Sequence, residues 1–305
     1  MVEVENQEIR KHLGEFYPFQ SHYLEIDGHF LHYIDEGPKE APVLLMIHGN
    51  PSWSIYWRRL IERYRTQFRV IAVDHIGCGL SDKPQDYEYT LANHIHNVSE
   101  LVDHLNLSKV TFLLHDWGGA IGMGLAAERK GLVKSFVIFN SAAFYSPNIP
   151  KRIAVCRWPV FGKIAIQGFN AFAGSAVFMA TEKGFSKELR QAYVAPYNSF
   201  RNRIATYKFV QDIPMEAHHP TRPVINWIEG QLGSFKEHPT LIIWGGKDWC
   251  FDDSFLSTWK EKLPQSEILR IADSGHYVVE DGYHQYADRL DQFLQSNGLD
   301  PELSS

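Results

Sequence analysis

The sequence predicts an α/β fold, with a mostly parallel central sheet flanked by helices and a helical cap inserted late in the chain. Three observations carry that prediction. Continuous apolar runs of strand length alternate with segments of helical periodicity, the pattern of a parallel sheet covered on both faces. At LLHDWGGAIG, residues 113–122, a strand runs into a sharp turn and a helix start rich in small residues. Over residues 144–222 the alternation stops, and the chain turns helical and proline-punctuated before the sheet pattern resumes near residue 240.

In chain order, SHYLEID (21–27) and HFLHYIDEG (29–37) flank the tight-turn pair Asp27-Gly28 and predict an opening hairpin. APVLLMIHG (41–49), FRVIAVD (68–74), VTFLLH (110–115) and VKSFVIFN (133–140) read as strands, as do TLIIWG (240–245) and EILRIA (267–272). Helices are expected over residues 55–64, 91–105, 120–130 and 287–296. Inside the break, GKIAIQGFNAFAGSAVFMA (162–180) and KELRQAYVAPY (187–197) look helical and apolar. A helical insertion in a parallel sheet lies over the strand C-termini, where such sheets bind ligands. The expected organisation is a core of residues 1–143 and 223–305, with a cap of residues 144–222 over a dry pocket.

Composition narrows the function classes. The chain has 305 residues, 44% of them hydrophobic, enough for one large domain with an insertion. A formal charge of −6 without a basic tract argues against nucleic acid and anionic membrane as partners. No run reaches the roughly 18 apolar residues of a membrane span. Cys78, Cys156 and Cys250 are far apart and odd in number, which points to reduced thiols and neither a disulfide framework nor a zinc site. The opening MVEVENQEIRKHLGEFYPFQ lacks the apolar core of a secretion signal, so the expectation is a cytoplasmic protein. His94, His96, His218 and His219 are taken as surface residues and not as metal ligands.

Asp116 sits at the tip of the 113–122 turn, where hydrolytic enzymes with a strand–turn–helix elbow carry a serine. Two readings compete at this point: a nucleophile, or an aspartate that simply caps the helix. HGNPSW (48–53) follows a buried strand, where an elbow enzyme supplies one backbone N–H of its oxyanion hole. Asn50 would give that donor and Trp117 the other. WGGKDWCFD (244–252) puts Asp248 just past a strand end, and IADSGHYVVED (271–281) puts His276 in a loop. Nucleophile, acid and histidine then follow in the order expected of such a triad.

Together these segments resemble the α/β-hydrolases with an aspartate nucleophile, and most closely the haloalkane dehalogenase family. The likeness spans roughly residues 20–297 and includes DHIGCGLSDKP (74–84) and NRIATYKFVQDIP (202–214). It implies an α/β-hydrolase fold with Asp116 as nucleophile, His276 as base and Asp248 as the acid that orients it. It also implies that Asn50 and Trp117 hold the departing halide through side-chain N–H groups. Where some members place a glutamate after the preceding strand, this chain has FNSAAF, so the acid stays with Asp248; Asp252 and Asp273 are weaker candidates.

The chemistry suits aspartate. A carboxylate is already ionised at neutral pH and displaces a leaving group at saturated carbon without a base. The resulting ester is then opened by water that His276 activates. The reading is therefore a dehalogenase acting on a small apolar haloalkane, giving alcohol and halide, with no metal or organic cofactor. The alternative is a decarboxylase of long-chain cis-β-lactones from the same branch, and the likeness implies possible homo-oligomers. Epoxide hydrolases resemble the site less, since they carry phenylalanine where Asn50 stands and need lid tyrosines; Tyr193, Tyr197 and Tyr207 are the candidates here. Fluoroacetate dehalogenases place an arginine where Trp117 stands. A non-catalytic binding protein would have no need of the full triad.

Overall fold

The computed structural model describes residues 9–297, so the parts of the expected core at residues 1–8 and 298–305 lie outside the described residues. Eight strands form one sheet: β1 (His22–Ile26), β2 (His29–Glu36), β3 (Val43–Ile47), β4 (Arg69–Val73), β5 (Val110–Asp116), β6 (Val133–Ser141), β7 (Thr240–Gly245) and β8 (Glu267–Ile271). Their spatial order is β1-β2-β4-β3-β5-β6-β7-β8. β1, β2 and β4 pair antiparallel, and every pairing from β4 onward is parallel. The hairpin turn carries positive φ at both Asp27 (49°) and Gly28 (79°), the requirement that selects Asp-Gly there.

The inner parallel strands β3 to β7 are mostly apolar because both faces are covered, whereas the edge strand β8 is largely exposed. Alternate residues of β3 feed opposite cores: Leu45 and Ile47 join one, Leu44 and Met46 the other. The first core receives α2 (Leu91–His104) and α3 (Trp117–Glu128); the second receives α1 (Arg58–Tyr64) and α12 (Tyr283–Ser296). This is the α/β architecture expected from the sequence.

Between β6 and β7 the chain forms α4 (Lys151–Cys156), α5 (Pro159–Lys163), a π-helical turn (Ile164–Gly168), α6 (Ala173–Met179), α7 (Lys187–Val194), α8 (Ile204–Gln211) and α9 (Arg222–Gln231). The 162–180 run is thus not one helix. Asn170 adopts φ 53°, a left-handed conformation that a continuous helix does not admit. α9 packs back on α3, where a Cβ on Gly124 would come 3.1 Å from Ile228. After β7 come α10 (Asp253–Lys262), β8 and the short α11 (Val278–Asp281) before α12. Among the described residues, no helix is long and apolar enough to cross a membrane.

His94 departs from its expected surface position. It lies on the apolar face of α2, one turn beyond Leu91, and stacks on Phe209 of α8 at 4.4 Å and 8°. Burial drives its pKa down to about 3, so it remains a neutral packing residue. Among the described residues no group of three or more His, Cys, Asp or Glu gathers in a way that could hold a metal.

Candidate active site

Helix α3 starts at Trp117, three residues earlier than expected, because the strand-to-helix turn is compressed into Asp116 itself. Asp116 has φ 53° and ψ −125°, a strained backbone for a non-glycine residue. Its neighbours make room for that turn. A Cβ at Gly118 would lie 2.0 Å from the Ile47 carbonyl oxygen, and one at Gly119 would lie 1.8 Å from Ser141 Oγ. Ser141 Oγ also donates to the Asp116 carbonyl at 2.5 Å. The Asp116 side chain makes no N-cap bond to the N–H of Gly118 or Gly119; it turns into a cavity instead.

The loop after β3 reaches the same carboxylate. Asn50 donates its backbone N–H to Asp116 Oδ1 at 2.7 Å, and the Trp117 N–H also holds the carboxylate. Gly49 permits the approach, since a Cβ there would stand 2.0 Å from Asp116 Oδ1. Asp74 fixes this loop from behind: its carboxylate accepts the Ser54 N–H at 2.7 Å, the Leu80 N–H at 2.9 Å and the His32 Nδ1–H at 2.8 Å. The Asn50 side-chain Nδ2 donates to the Thr206 carbonyl at 3.2 Å, which leaves one amide hydrogen for another acceptor. Among the described residues nothing accepts a hydrogen bond from the Trp117 indole, and both side chains line the cavity.

His276 stands between two carboxylates. Its Nδ1 is 2.8 Å from Asp248 Oδ2 and its Nε2 is 3.5 Å from Asp116 Oδ2. Asp248 Oδ1 is held by the N–H groups of Cys250 (2.7 Å) and Phe251 (3.1 Å). That contact orients the imidazole with Nδ1–H toward Asp248 and Nε2 toward Asp116. Burial lowers the affinity of His276 for a proton, but Asp248 and then Asp116 outweigh it and raise the pKa above the ordinary value. Burial pushes the Asp116 carboxyl up, against the opposing pull of His276 and the two backbone N–H groups. Asp252 instead caps α10 through the Ser254 N–H, and the exposed Asp273 accepts from Gln285.

Several residues of the site were not singled out by sequence reasoning. His115 Nε2–H donates to the His276 carbonyl at 3.0 Å, and its ring stacks on Tyr56 at 4.3 Å. Burial holds it well below its usual pKa, so it positions the histidine loop as a neutral ring. Phe251 stacks on His276 at 5.7 Å and 15°. Phe251 and Trp249 sit in the very stretch read for Asp248, and adjacency to the acid was the available signal.

A cavity of about 420 Å³ opens above Asp116 and His276. The segment between β6 and β7 supplies much of its wall, including Ile153, Phe172, Met179 and Val210, and Trp249 and Phe255 also line it. The hydroxyls of Tyr193, Tyr197 and Tyr207 are bonded to Glu280, the Ser52 carbonyl and the Pro159 carbonyl, and none of the three tyrosines lines the cavity. A buried carboxylate, an oriented imidazole and an apolar chamber can attack a saturated carbon and carry the product as an ester.

An elbow at the end of a parallel strand, with acid and histidine on later loops, is the arrangement of an α/β-hydrolase. The chain matches the alpha/beta hydrolase fold family over residues 42–283. It is 43% identical to the cis-3-alkyl-4-alkyloxetan-2-one decarboxylase of Shewanella oneidensis, over 92% of this chain and 90% of the relative. It is 38% identical to the enzyme of the same name from Xanthomonas campestris pv. campestris, over 93% and 98%. The crystal structure of the haloalkane dehalogenase DatA from Agrobacterium tumefaciens superposes with a TM-score of 0.82 at 26% identity, covering 92% of this chain and 98% of that one. The chain belongs to the α/β-hydrolase family, in the haloalkane dehalogenase branch that also holds these decarboxylases.

Proposed function

We propose that this chain is a cis-3-alkyl-4-alkyloxetan-2-one decarboxylase, a lyase that converts a dialkyl β-lactone into an alkene and carbon dioxide. The observation that carries this is the 43% identity to a decarboxylase of that name across nine-tenths of both chains. It displaces the haloalkane reading as the first choice, since a haloalkane dehalogenase of Mycolicibacterium paratuberculosis is 31% identical over 92% of this chain and DatA 26%.

In this reading Asp116 is the nucleophile. One carboxylate oxygen attacks C4 of the lactone from the face opposite the ring oxygen; the C4–O bond breaks, and the freed carboxylate stays on the substrate. Its C2–C3 bond then breaks, carbon dioxide leaves, and the electron pair forms the C3=C4 bond as the Asp116 ester bond opens. Inversion at C4 followed by anti elimination turns a cis-lactone into a cis-alkene. No water is consumed. Asp248 holds the His276 imidazole with its Nε2 edge toward the reacting carboxylates, and the Asn50 and Trp117 N–H groups steady the Asp116 oxygen that does not attack. The apolar wall excludes water that would otherwise divert the ester to a hydroxy acid. Residues 144–222 act as a cap domain over the core of residues 1–143 and 223–305. Free thiols at Cys78, Cys156 and Cys250 fit a cytoplasmic setting.

The same groups support a second reaction, favoured by the likeness to DatA. Asp116 displaces halide from a haloalkane, the Asn50 amide and Trp117 indole N–H groups receive the halide, and His276 activates water against the ester. Incubation with a cis-3,4-dialkyl-β-lactone and, separately, a 1-bromoalkane tests both. Cis-alkene with carbon dioxide, at a rate well above bromide release, is the expected result. A 3-hydroxy acid in place of alkene, or bromide release without alkene, would make the chain a hydrolase.

A further inference from the structure

The geometry points to a membrane-docking surface on the outer face of residues 158–178, one that recognises anionic lipid. Trp158, Val160, Phe161, Ile164, Phe169 and Phe178 are each more than half exposed, and no other large apolar side chain among the described residues is. Concentrating all of them in one segment marks an interaction site and not the usual scatter of single apolar residues. The same stretch is apolar on its inner side, where Ile166 and Val177 are buried and Phe172, Ala176 and Met179 line the cavity. Helices that are apolar all round need an apolar neighbour on both faces.

Charge says which neighbour. From Phe144 to Thr181 the ionisable side chains besides tyrosine and cysteine are Lys151, Arg152, Arg157 and Lys163, with no Asp or Glu, in a chain whose formal charge is −6. Arg157 is paired with Glu216 at 2.5 Å and Arg152 lies over the Trp249 ring. Lys151 and Lys163 are exposed and make no ion pair among the described residues. Arg190 adds a cation over the Phe178 ring at 4.8 Å. Aromatic and aliphatic residues rimmed by unpaired cations suit the headgroup boundary of an anionic bilayer. The same face of a second copy would set cation against cation. The acidic sum over the whole chain conceals this segment, which is why composition argued against membranes.

Docked this way, the wall of the cavity lies against lipid, and an apolar ligand would pass between bilayer and cavity without crossing water. This inference stands on the surface alone and holds or fails whichever reaction the site performs. The test is flotation of the full chain with phosphatidylcholine vesicles, with and without phosphatidylglycerol. The wild type should float with the anionic vesicles and far less with the neutral ones. Lys151→Gln and Lys163→Gln should each weaken binding roughly fivefold. Trp158→Ser combined with Phe161→Ser should abolish flotation while leaving the melting temperature and the turnover of a short, water-soluble substrate unchanged. If that double variant fails to fold, the lysine variants decide. Absence of wild-type flotation, or equal binding to both vesicle types, would overturn the proposal. So would a large oligomer that the double variant breaks down in light scattering without any vesicle binding, which would assign the face to a second copy.

Discussion

Asp116 Oδ2 lies 3.5 Å from His276 Nε2, while the other oxygen of the same carboxylate receives the Asn50 N–H at 2.7 Å. One oxygen is therefore steadied and the other faces the imidazole. If Asp116 is the nucleophile, Asp116→Ala should abolish turnover of both β-lactone and bromoalkane. The fold should survive, because the change removes a buried carboxylate whose charge burial disfavours. Thermal unfolding should shift by no more than about 1 kcal/mol. Activity above about a tenth of wild type would remove Asp116 from the covalent step.

His276 separates the two reactions. Hydrolysis of an alkyl ester on Asp116 needs an activated water, whereas elimination of carbon dioxide from that ester does not. His276→Phe incubated with a 1-bromoalkane should release about one bromide per active site and stop. Intact mass should rise by one alkyl group, located on the peptide that contains Asp116. With the β-lactone the same variant should go on forming alkene beyond one turnover, more slowly for want of the imidazole edge beside Asp116. An alkene yield that also stops at one turnover would refute the water-free route.

Trp117 lines the cavity, and its indole N–H has no protein acceptor among the described residues. Trp117→Phe keeps the ring that packs on Phe209 at 5.4 Å and removes only the donor. Bromide release should fall by about 100- to 1000-fold, the usual effect of deleting one such donor. Lactone turnover should fall less, since its leaving oxygen remains tethered to the substrate. Equal losses on the two substrates would sink the assignment of the indole to halide.

Much of this was legible in the sequence for identifiable reasons. β7 runs from Thr240 to Gly245, as its apolar run and terminal glycines indicate. The hairpin was announced by Asp27-Gly28, because few other pairs take positive φ twice. Asp116 ends a strand and His276 and Asp248 each follow one, so motif and strand order predicted that they meet, and the three side chains do. What failed depended on contacts between distant segments. His94 was misplaced because Phe209, more than a hundred residues away, covers its face of α2. The 162–180 run is helical as its composition indicates, but the left-handed turn at Asn170 that divides it is set by no sequence pattern. Asp74 looked like one residue of a loop motif, and its three bonds to Ser54, Leu80 and His32 exist only in the folded chain.

Asp212 gives a prediction outside the catalytic groups. It ends α8 and accepts the Thr221 hydroxyl at 2.5 Å and the Leu91 N–H at 2.8 Å, so it ties the segment leaving the inserted helices to the start of α2. Burial raises its pKa to about 6, against these two bonds that favour the charged form. The folded state therefore holds the proton more tightly than the unfolded state does. Stability from this group is greatest below the ordinary carboxylate pKa and falls as pH rises from about 4 to about 6. Above that window the buried charge costs up to about 3 kcal/mol, from two pKa units at ~1.4 kcal/mol each. Asp212→Asn keeps the shape and an acceptor for Leu91 but carries no charge. Its melting temperature relative to wild type should climb as pH increases across the window, then level off. A difference that stays flat with pH would mean that Asp212 titrates normally and that its burial carries no electrostatic cost.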